Sequence, residues 1–150
     1  MIRVQREDFD VGFEIENLTR GKTTIGGIVT FVGTVRDPGG ANAIMAMTLE
    51  HYSGMTEDEL TAIEAEANKR WPLDASLIVH RFGRLLPGER IVLVVTAAAH
   101  RTAAFAANEF LVDWLKTKAP FWKQEETPQG TRWVEARDSD EQAAKRWAKG

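Results

Sequence analysis

Five side chains of this 150-residue chain are of types, and at places, that could bind or transform an anionic ligand. They are Arg36, His100, Arg101, Lys116 and Lys123. His100 and Arg101 directly follow an apolar segment and open a predicted helix, where free backbone N–H groups also favour an anion. Because guanidinium groups bind phosphate through paired hydrogen bonds, the pattern predicts a site for an anionic, phosphorylated ligand.

Lys116 occupies a position that the helix itself does not require. On an ideal helix it shares a face with Phe105 and Val112, which predicts an ammonium group at the margin of a buried face. A lysine partly withdrawn from water, with Lys123 nearby, loses its proton more readily and can then transfer protons or attack a carbonyl. The simpler alternative is that a lysine in the last turn complements the helix macrodipole.

Composition excludes several classes of function. The net charge of −3 predicts no general affinity for nucleic acid or membranes, so a basic site has to be local. The absence of cysteine excludes disulfides, thiolate metal sites, cysteine nucleophiles and persulfide carriers. The histidines lack the spacing of a metal motif, and we expect neither a metal nor a cofactor. Without a membrane-length apolar run or a signal peptide, residues 1–150 are predicted to be one cytoplasmic domain.

Hydrophobic periodicity and turn residues predict the elements that position these side chains. Runs of hairpins broken by helices indicate an α+β fold with a largely antiparallel sheet. We expect strand 44–52 to pair with strand 25–36, and strand 75–85 to form a hairpin with strand 90–99. The remaining predicted elements are strand 2–6, helix 11–20, helix 56–71, the central helix up to Pro120, a hairpin of 121–126 with 131–136, and a last helix ending near Trp147.

Individual residues predict the ends and faces of these elements. Asp10 is expected to cap the first helix, while Thr56 with Glu59, and Ser139 with a glutamine three residues later, read as capping boxes. In the strand that contains the dipeptide 80–81, alternation predicts that one of the two side chains faces a less buried side; the histidine is taken as structural. Gly33 leaves a gap in its strand that a ligand or another backbone could approach.

Several linked segments resemble the catalytic, large-subunit family of molybdopterin synthase. They are FVGTVRD, LEHYSGM, VHRFGRLLPGE, the HR before AAFAA, LKTKAPFWKQE and GTRWVEA, and together they span about residues 24–147. The resemblance implies an α/β hammerhead-type fold with an additional β-hairpin subdomain. It also implies a homodimer within a heterotetramer that includes two small ubiquitin-like sulfur-carrier subunits.

The resemblance also implies a reaction. Two sulfurs, each delivered as a thiocarboxylate on the carrier's C-terminal Gly-Gly tail, are inserted into cyclic pyranopterin monophosphate to give the dithiolene of molybdopterin. Because the chain has no cysteine, it cannot carry the sulfur itself, which agrees with an external donor.

Matching positions supply the implied site. Lys116 and Lys123 correspond to the family's catalytic lysines. The implied substrate-binding residues are Thr34, Val35, Arg36, His100, Arg101, Lys116, Lys123, Gln124 and Glu125. The implied residues for the carrier tail are Phe31, Gly33 and Arg36. Ala99 and Gln124 depart from residues common in the family, but strand alternation directs Gln124 away from Lys123.

The distance along the central helix predicts a site shared between subunits. His100 and Arg101 begin the helix and Lys116 ends it, so they lie more than about 20 Å apart at about 1.5 Å per residue. A small pterin phosphate cannot span that distance. If all these residues serve one substrate, either the helix breaks or its two ends come from different chains of the implied dimer.

Two other functions remain open from the residues themselves. A non-catalytic module that binds a phosphorylated ligand or a protein tail would explain the arginines, but not the position of Lys116. Binding of single-stranded nucleic acid through Trp122, Trp133 and the lysines would require exposed aromatic side chains along a basic groove. The acidic net charge disfavours it.

Overall fold

Strands and helices follow one another along the chain nearly as the sequence predicts. The structure is a computed structural model that describes residues 1–134, 142–143 and 145–148. The elements in these residues are β1 (Ile2–Gln5), α1 (Val11–Thr19), β2 (Gly27–Thr34), β3 (Ala46–His51), α2 (Met55–Arg70), β4 (Leu73–Arg81), β5 (Gly83–Leu85), β6 (Arg90–Ala98), α3 (Arg101–Thr117), β7 (Phe121–Thr127) and β8 (Gly130–Val134). A short 3-10 helix, Gly40–Asn42, lies between β2 and β3.

The strands form two four-stranded sheets. The first sheet has the order β1-β4-β6-β2 and the second the order β5-β3-β7-β8. Every pairing is antiparallel except that of β1 with β4. The predicted α+β class with largely antiparallel sheet is therefore confirmed. The C-terminal hairpin, β7 with β8, is present, and β3 joins it to β5 within the second sheet.

The predicted pairing of β3 with β2 is wrong. β2 pairs along its length with β6, whereas β3 lies between β5 and β7. At the end of β2 the Val35 N–H donates to the Glu89 carbonyl at 2.9 Å, and the Val35 carbonyl accepts from Gly88 at 2.8 Å. These bonds fix the end of β2 against the turn before β6, and the chain then crosses to the second sheet, where β3 lies. Pairing of sequence neighbours is a tendency that such long-range bonds override.

The predicted strand 75–85 is divided between the two sheets. Its first part, β4, pairs with β6 as expected, but Gly83–Leu85 pairs with β3 instead. The break falls at Gly83, whose φ of 95° is rarely open to other residues. A Cβ there would also lie 2.9 Å from an Arg6 guanidinium nitrogen.

The first sheet is buried on both faces, and this decides the environment of His80 and Arg81. On one face Ile78 joins a core with residues of α2 and α3; on the other, Val79 joins a core that includes Leu18 of α1. The expectation that one of the two neighbours faces a less buried side is therefore wrong. His80 is 5% exposed and Arg81 7% exposed.

The helix ends agree with the sequence in one case and differ in another. Asp10 caps α1 as predicted, by accepting from the Phe13 N–H at 2.9 Å. The predicted cap of α2 at Thr56 is wrong, because the helix begins at Met55 and its N-cap is Gly54. The Glu57 carboxylate closes that end by accepting from the Gly54 N–H at 3.2 Å.

The last predicted helix falls partly outside the described residues, and its proposed cap at Ser139 lies outside them. Trp147 is described. Its ring meets Trp71 and Phe110 edge-on, with centroids 5.7 Å away in each case.

Helix α3 is seated on the first sheet by polar contacts as well as apolar packing. The buried Asn108 amide donates to the carbonyls of Val29 and Val94, both at 3.0 Å. The Thr96 hydroxyl donates to the Ala104 carbonyl at 2.7 Å. Since these bonds join α3 to both β2 and β6, they hold the helix axis in place along the sheet.

Candidate active site

A cavity of about 850 Å³ opens where the two sheets meet the C-terminal end of α3. Residues from six strands, helix α3 and the segment between β2 and β3 surround it, so that segments far apart in the sequence supply its walls. The lining residues are Phe31, Val32, Gly33, Thr34, Arg36, Pro38, Asn42, Met47, His80, Ile91, Leu115, Lys116, Thr117, Ala119, Phe121, Lys123, Glu125, Arg132 and Val134.

The end of α3 brings the two predicted catalytic lysines to this one cavity. Lys116 lies in the last turn of the helix, which closes with the Lys118 N–H donating to the Trp114 carbonyl at 2.8 Å. Pro120 then stops the helix, and the chain turns directly into β7. Lys123 is the third residue of β7, so a tight reversal places it across the cavity from the helix end.

The reason that the sequence suggests for a special Lys116 is wrong. Of the two residues on the same helical face, Val112 is half-buried against the core but Phe105 has 60% of its surface exposed, so this face is not the buried one. The buried face of α3 is formed by Ala104, Ala107, Asn108, Phe110 and Leu111. Lys116 is accordingly exposed, whereas Lys123 is half-buried. Lys116 nevertheless lines the cavity, and sharing that cavity with Lys123 distinguishes it from an ordinary helix-end lysine.

The end of β2 and the residues after it contribute Gly33, which has no side chain, and Arg36 to the wall of the cavity. The register of β2 against β6 shifts between Gly33 and Thr34, which redirects the strand at the cavity. A Cβ at Gly33 would lie 2.8 Å from a Val92 methyl group and 3.3 Å from the Phe31 ring. Glycine is therefore needed for the contact of Phe31 with the strand. Phe31, Gly33 and Arg36, the implied carrier-tail residues, all line the cavity.

Sequence reasoning missed Arg132, which also lines the cavity. It lies opposite Glu125 in the β7–β8 register, and its guanidinium binds one Glu125 carboxylate oxygen through Nε at 3.0 Å and Nη2 at 2.9 Å. The predicted Thr127–Gly130 turn would have identified the pair, because hairpin register follows from the turn. The lining residues thus include four cationic side chains and one carboxylate, and this excess of positive charge favours binding of an anion.

His80 forms part of the cavity wall between the two lysines and the core. Its ring stacks on Phe121 with centroids 3.7 Å apart and planes inclined by 14°. Burial lowers the pKa of His80 to about 3; a hydrogen bond with the Arg81 carbonyl opposes the shift, and the charges of Lys123 and Lys116 add to it. The imidazole is therefore neutral near pH 7.

Four implied substrate-binding residues of this chain lie away from the cavity lining. Val35 is 2% exposed and packs into the core. Gln124 lies between Thr48 and Trp133 in the sheet register, on the opposite face of β7 from Lys123 as alternation predicts.

The other two, His100 and Arg101, lie at the amino end of α3, about 20 Å or more from Lys116 along the helix. Both are exposed. The structure of one chain thus brings together Thr34, Arg36, Lys116, Lys123 and Glu125 but not the amino-end pair.

Comparison with known proteins identifies the family. The family model described as "MoaE protein" matches residues 4–118 of the chain. The chain belongs to the MoaE family. The resemblance inferred from the sequence motifs is thereby confirmed.

Relatives with curated names agree with the MoaE assignment. The chain is similar to the molybdopterin synthase catalytic subunit of Pseudomonas aeruginosa, with 55% identity over 97% of each chain. It is 53% identical to the subunit of the same name from Mesorhizobium japonicum, over 97% of this chain and 92% of the relative. Among solved structures, a molybdopterin biosynthesis MoaE protein from Burkholderia ambifaria has 53% identity and a TM-score of 0.82, covering 98% of this chain and 97% of that one.

Two further findings concern what the MoaE chain contains. Within residues 1–134, 142–143 and 145–148 there is no cluster of three or more side chains of the types that hold a metal ion. In the same residues, no helix is long and apolar enough to cross a membrane.

Proposed function

We propose that this chain is the catalytic subunit of a molybdopterin synthase. In this reaction, cyclic pyranopterin monophosphate receives two dithiolene sulfurs, each delivered as the C-terminal thiocarboxylate of a small ubiquitin-like carrier subunit. Membership of the MoaE family supports the reaction class. The observation that carries the assignment to this site is the cavity that joins Lys116, Lys123 and Arg36 from three separate elements. A cytoplasmic location is part of the same proposal.

The charge of the cavity suits both reactants. The substrate carries a phosphate and the carrier tail ends in a thiocarboxylate, so both bring negative charge to the site. Arg36 and Arg132 are fixed-charge groups that can bind oxyanions through two hydrogen bonds each. The bond of Arg132 to Glu125 holds that guanidinium in one orientation, which reduces the ordering cost when substrate binds.

Such a reaction requires proton transfers, which the two lysines of the cavity can provide. When the thiocarboxylate sulfur forms a bond to a substrate carbon, the displaced oxygen leaves with a proton. Water then cleaves the acyl–sulfur bond, releasing the carrier as a carboxylate, and this step requires removal of a proton from water. Lys116 and Lys123 line the cavity where both steps would occur and are the groups we assign to these transfers.

The tail of the carrier needs a narrow path to the lysines. Gly33 is buried, and it contributes only backbone to the wall beside Phe31. We assign this wall, with Arg36 at its end, to the Gly-Gly tail. Glycine residues have no side chains, so a Gly-Gly tail can lie close to a wall that is itself glycine backbone.

His100 and Arg101 enter the proposal through a second copy of the chain. Because they lie at the other end of α3 from the cavity, we propose a homodimer in which they face Lys116 and Lys123 of the partner. The heterotetramer then consists of this dimer and two carrier subunits.

The deciding experiment uses the purified chain, thiocarboxylated carrier and the cyclic pterin. Formation of the dithiolene is the expected result, measured as molybdopterin or its oxidised fluorescent derivative. A binding module for phosphorylated ligands or protein tails would bind one or both partners and form no dithiolene. Carrier with an ordinary C-terminal carboxylate is the matched control, because it binds in the same way and has no sulfur to give.

A further inference from the structure

His80 is a titratable cavity residue to which the proposed chemistry assigns no step. Nδ1 lies 2.8 Å from the Arg81 carbonyl oxygen. A carbonyl oxygen can only accept, so Nδ1 carries the proton and, in the neutral ring, Nε2 keeps its lone pair. With one ring nitrogen bonded to the backbone of its own strand, the imidazole is held in a single orientation.

The ring of His80 connects the two sheets at the catalytic lysines. His80 belongs to β4 in the first sheet, and the Phe121 ring on which it stacks begins β7 in the second. His51 lies opposite Phe121 in the β3–β7 register, with ring centroids 5.9 Å apart. Phe121 is therefore enclosed by two imidazoles, one from each sheet.

Phe121 and Lys123 are linked through the geometry of β7. They are two residues apart on one strand, so their side chains emerge on the same face, and both line the cavity. Any rotation or shift of the strand start that moves the Phe121 ring also moves the base of the Lys123 side chain. The stack on His80 therefore acts on the strand start that carries Lys123, together with the pairing of Lys123 with Leu49 and Val134.

The absence of charge on His80 has its own consequence. Charged groups face this imidazole from α3 and from β7, namely Lys116 and Lys123, and His51 faces it from β3. A positive ring at this position would be buried and would repel both ammonium groups. A neutral aromatic ring supplies the flat contact that Phe121 needs without that repulsion.

We propose that His80 is a positioning residue whose neutral ring seats Phe121 and thereby directs Lys123 into the cavity. The inference deepens the proposed function, on which the catalytic importance of Lys123 rests. A role in core packing alone would make His80 matter for stability and leave the environment of Lys123 unchanged.

Two variants separate the stack from the hydrogen bond. His80→Asn keeps an N–H donor near the position of Nδ1 and removes the ring. His80→Phe keeps a neutral ring for the stack and removes the donor. The readout is the rate of acetylation of individual lysines by a low dose of acetic anhydride, determined by peptide mass spectrometry on the folded chain. Lys69, exposed on α2, is the internal reference.

The positioning role predicts a change confined to one lysine. In His80→Asn the acetylation rate of Lys123 relative to Lys69 shifts by about threefold or more, whereas in His80→Phe it stays close to wild type. An unchanged Lys123 rate in folded His80→Asn overturns the proposal. Should His80→Asn not fold, Phe121→Leu removes the same stack from the other side, and an unchanged Lys123 rate in that variant overturns it equally.

Turnover gives a second readout. His80→Asn is expected to lower the rate of dithiolene formation about tenfold or more in the wild-type background, and clearly less in a Lys123→Ala background, because the two changes remove one function. Equal loss in both backgrounds indicates a structural role and overturns the proposal. Acetylation does not depend on sulfur transfer, so a failure of the proposed reaction is distinguishable from a failure of this inference.

Discussion

The two ends of helix α3 carry basic residues of similar appearance and have different surroundings. At the carboxyl end, Lys116 lines a large cavity with Lys123 and Arg36. At the amino end, His100 and Arg101 are exposed and lie outside that cavity. The same helix therefore presents one cation to a cavity and another set of cations to an open surface.

The backbone beneath the amino end is as specialised as the cavity. A Cβ at Gly26 would lie 2.0 Å from the Ala99 carbonyl oxygen, and one at Gly27 would lie 3.5 Å from the Arg101 Cα. The two glycines let the start of β2 pass directly under the turn into α3. His100 and Arg101 are thus held on a rigid base, although neither of them lines the cavity that holds Lys116. The comparison teaches that the amino end of α3, whose cationic side chains are exposed on a fixed backbone, is suited to contribute these side chains to the cavity of a second copy of the chain.

The largest difference between the two ends should appear in turnover. Lys116→Ala is expected to lower the rate of dithiolene formation by about 10²–10⁴, because a proton-transfer group is lost. Stability in urea should hardly change, since the side chain is exposed. Lys118→Ala, an exposed lysine at the C-cap of the same helix, is the matched control and should retain normal turnover. Near-normal turnover of Lys116→Ala would reduce Lys116 to a helix-end charge.

The amino end should act on binding. Arg101→Ala is expected to weaken the affinity for cyclic pyranopterin monophosphate by about 10- to 100-fold, which corresponds to losing a charged hydrogen bond of about 1.5–3 kcal/mol. Calorimetric titration of the purified protein measures this directly. Arg20→Ala, at the exposed end of α1, serves as the control. Equal affinity of Arg101→Ala and wild type would remove the phosphate-binding assignment.

Acid stability should depend on His80, the buried histidine of the cavity. Burial lowers the pKa of His80 to about 3, below the value of about 6.5 in the unfolded chain, so the unfolded state binds the extra proton first. His80 therefore contributes a loss of stability as the pH falls through 6.5 towards 3. The loss between pH 7 and pH 5 is about 2 kcal/mol.

Urea denaturation at both pH values measures this loss. His80→Phe should be less sensitive to acid than wild type by that amount. An identical pH dependence in His80→Phe and wild type would show that His80 does not titrate in this way.

The smallest effect concerns the proposed sharing of the site between subunits. Arg101→Ala and Lys116→Ala proteins, mixed and allowed to exchange subunits, should regain activity. In a mixed dimer one site carries both changes and the other neither, so about half of the sites in the heterodimers should work. Recovery is measured against heterodimers isolated with two different affinity tags. No recovery in demonstrated heterodimers would place the complete site within one chain.

Local patterns predicted most elements of the fold. The apolar periodicity of Leu60, Ile63 and Ala67 correctly identified the packed face of α2, and Asp10 correctly marked the start of α1. These signals depend on residues within a few positions of one another, and backbone geometry alone converts them into structure. The motifs of the chain also sufficed to identify the family, because several of them occur in order.

Strand partners were decided by contacts that the sequence does not display. β3 pairs with β5 and β7 and not with β2, the strand before it in the sequence, because the end of β2 is hydrogen-bonded to the turn before β6. The stripe with Phe105 was expected to place Lys116 at the margin of a buried face, but the helix is oriented so that Asn108 faces the first sheet and bonds to two strands. Periodicity defines a face of a helix without defining which neighbour covers it.

The sequence by itself determined which residues were candidates for the chemistry, and the tertiary structure decided which of them meet. Lys116, Lys123 and Arg36 converge because a proline ends α3 beside a cavity formed by both sheets. Arg132 joins them through the register of the β7–β8 hairpin, which its own turn fixes. His80 joins them through its stack on Phe121, which arises only when the two sheets meet. Side-chain type is encoded residue by residue, whereas proximity between residues far apart in the chain results from packing of the whole fold.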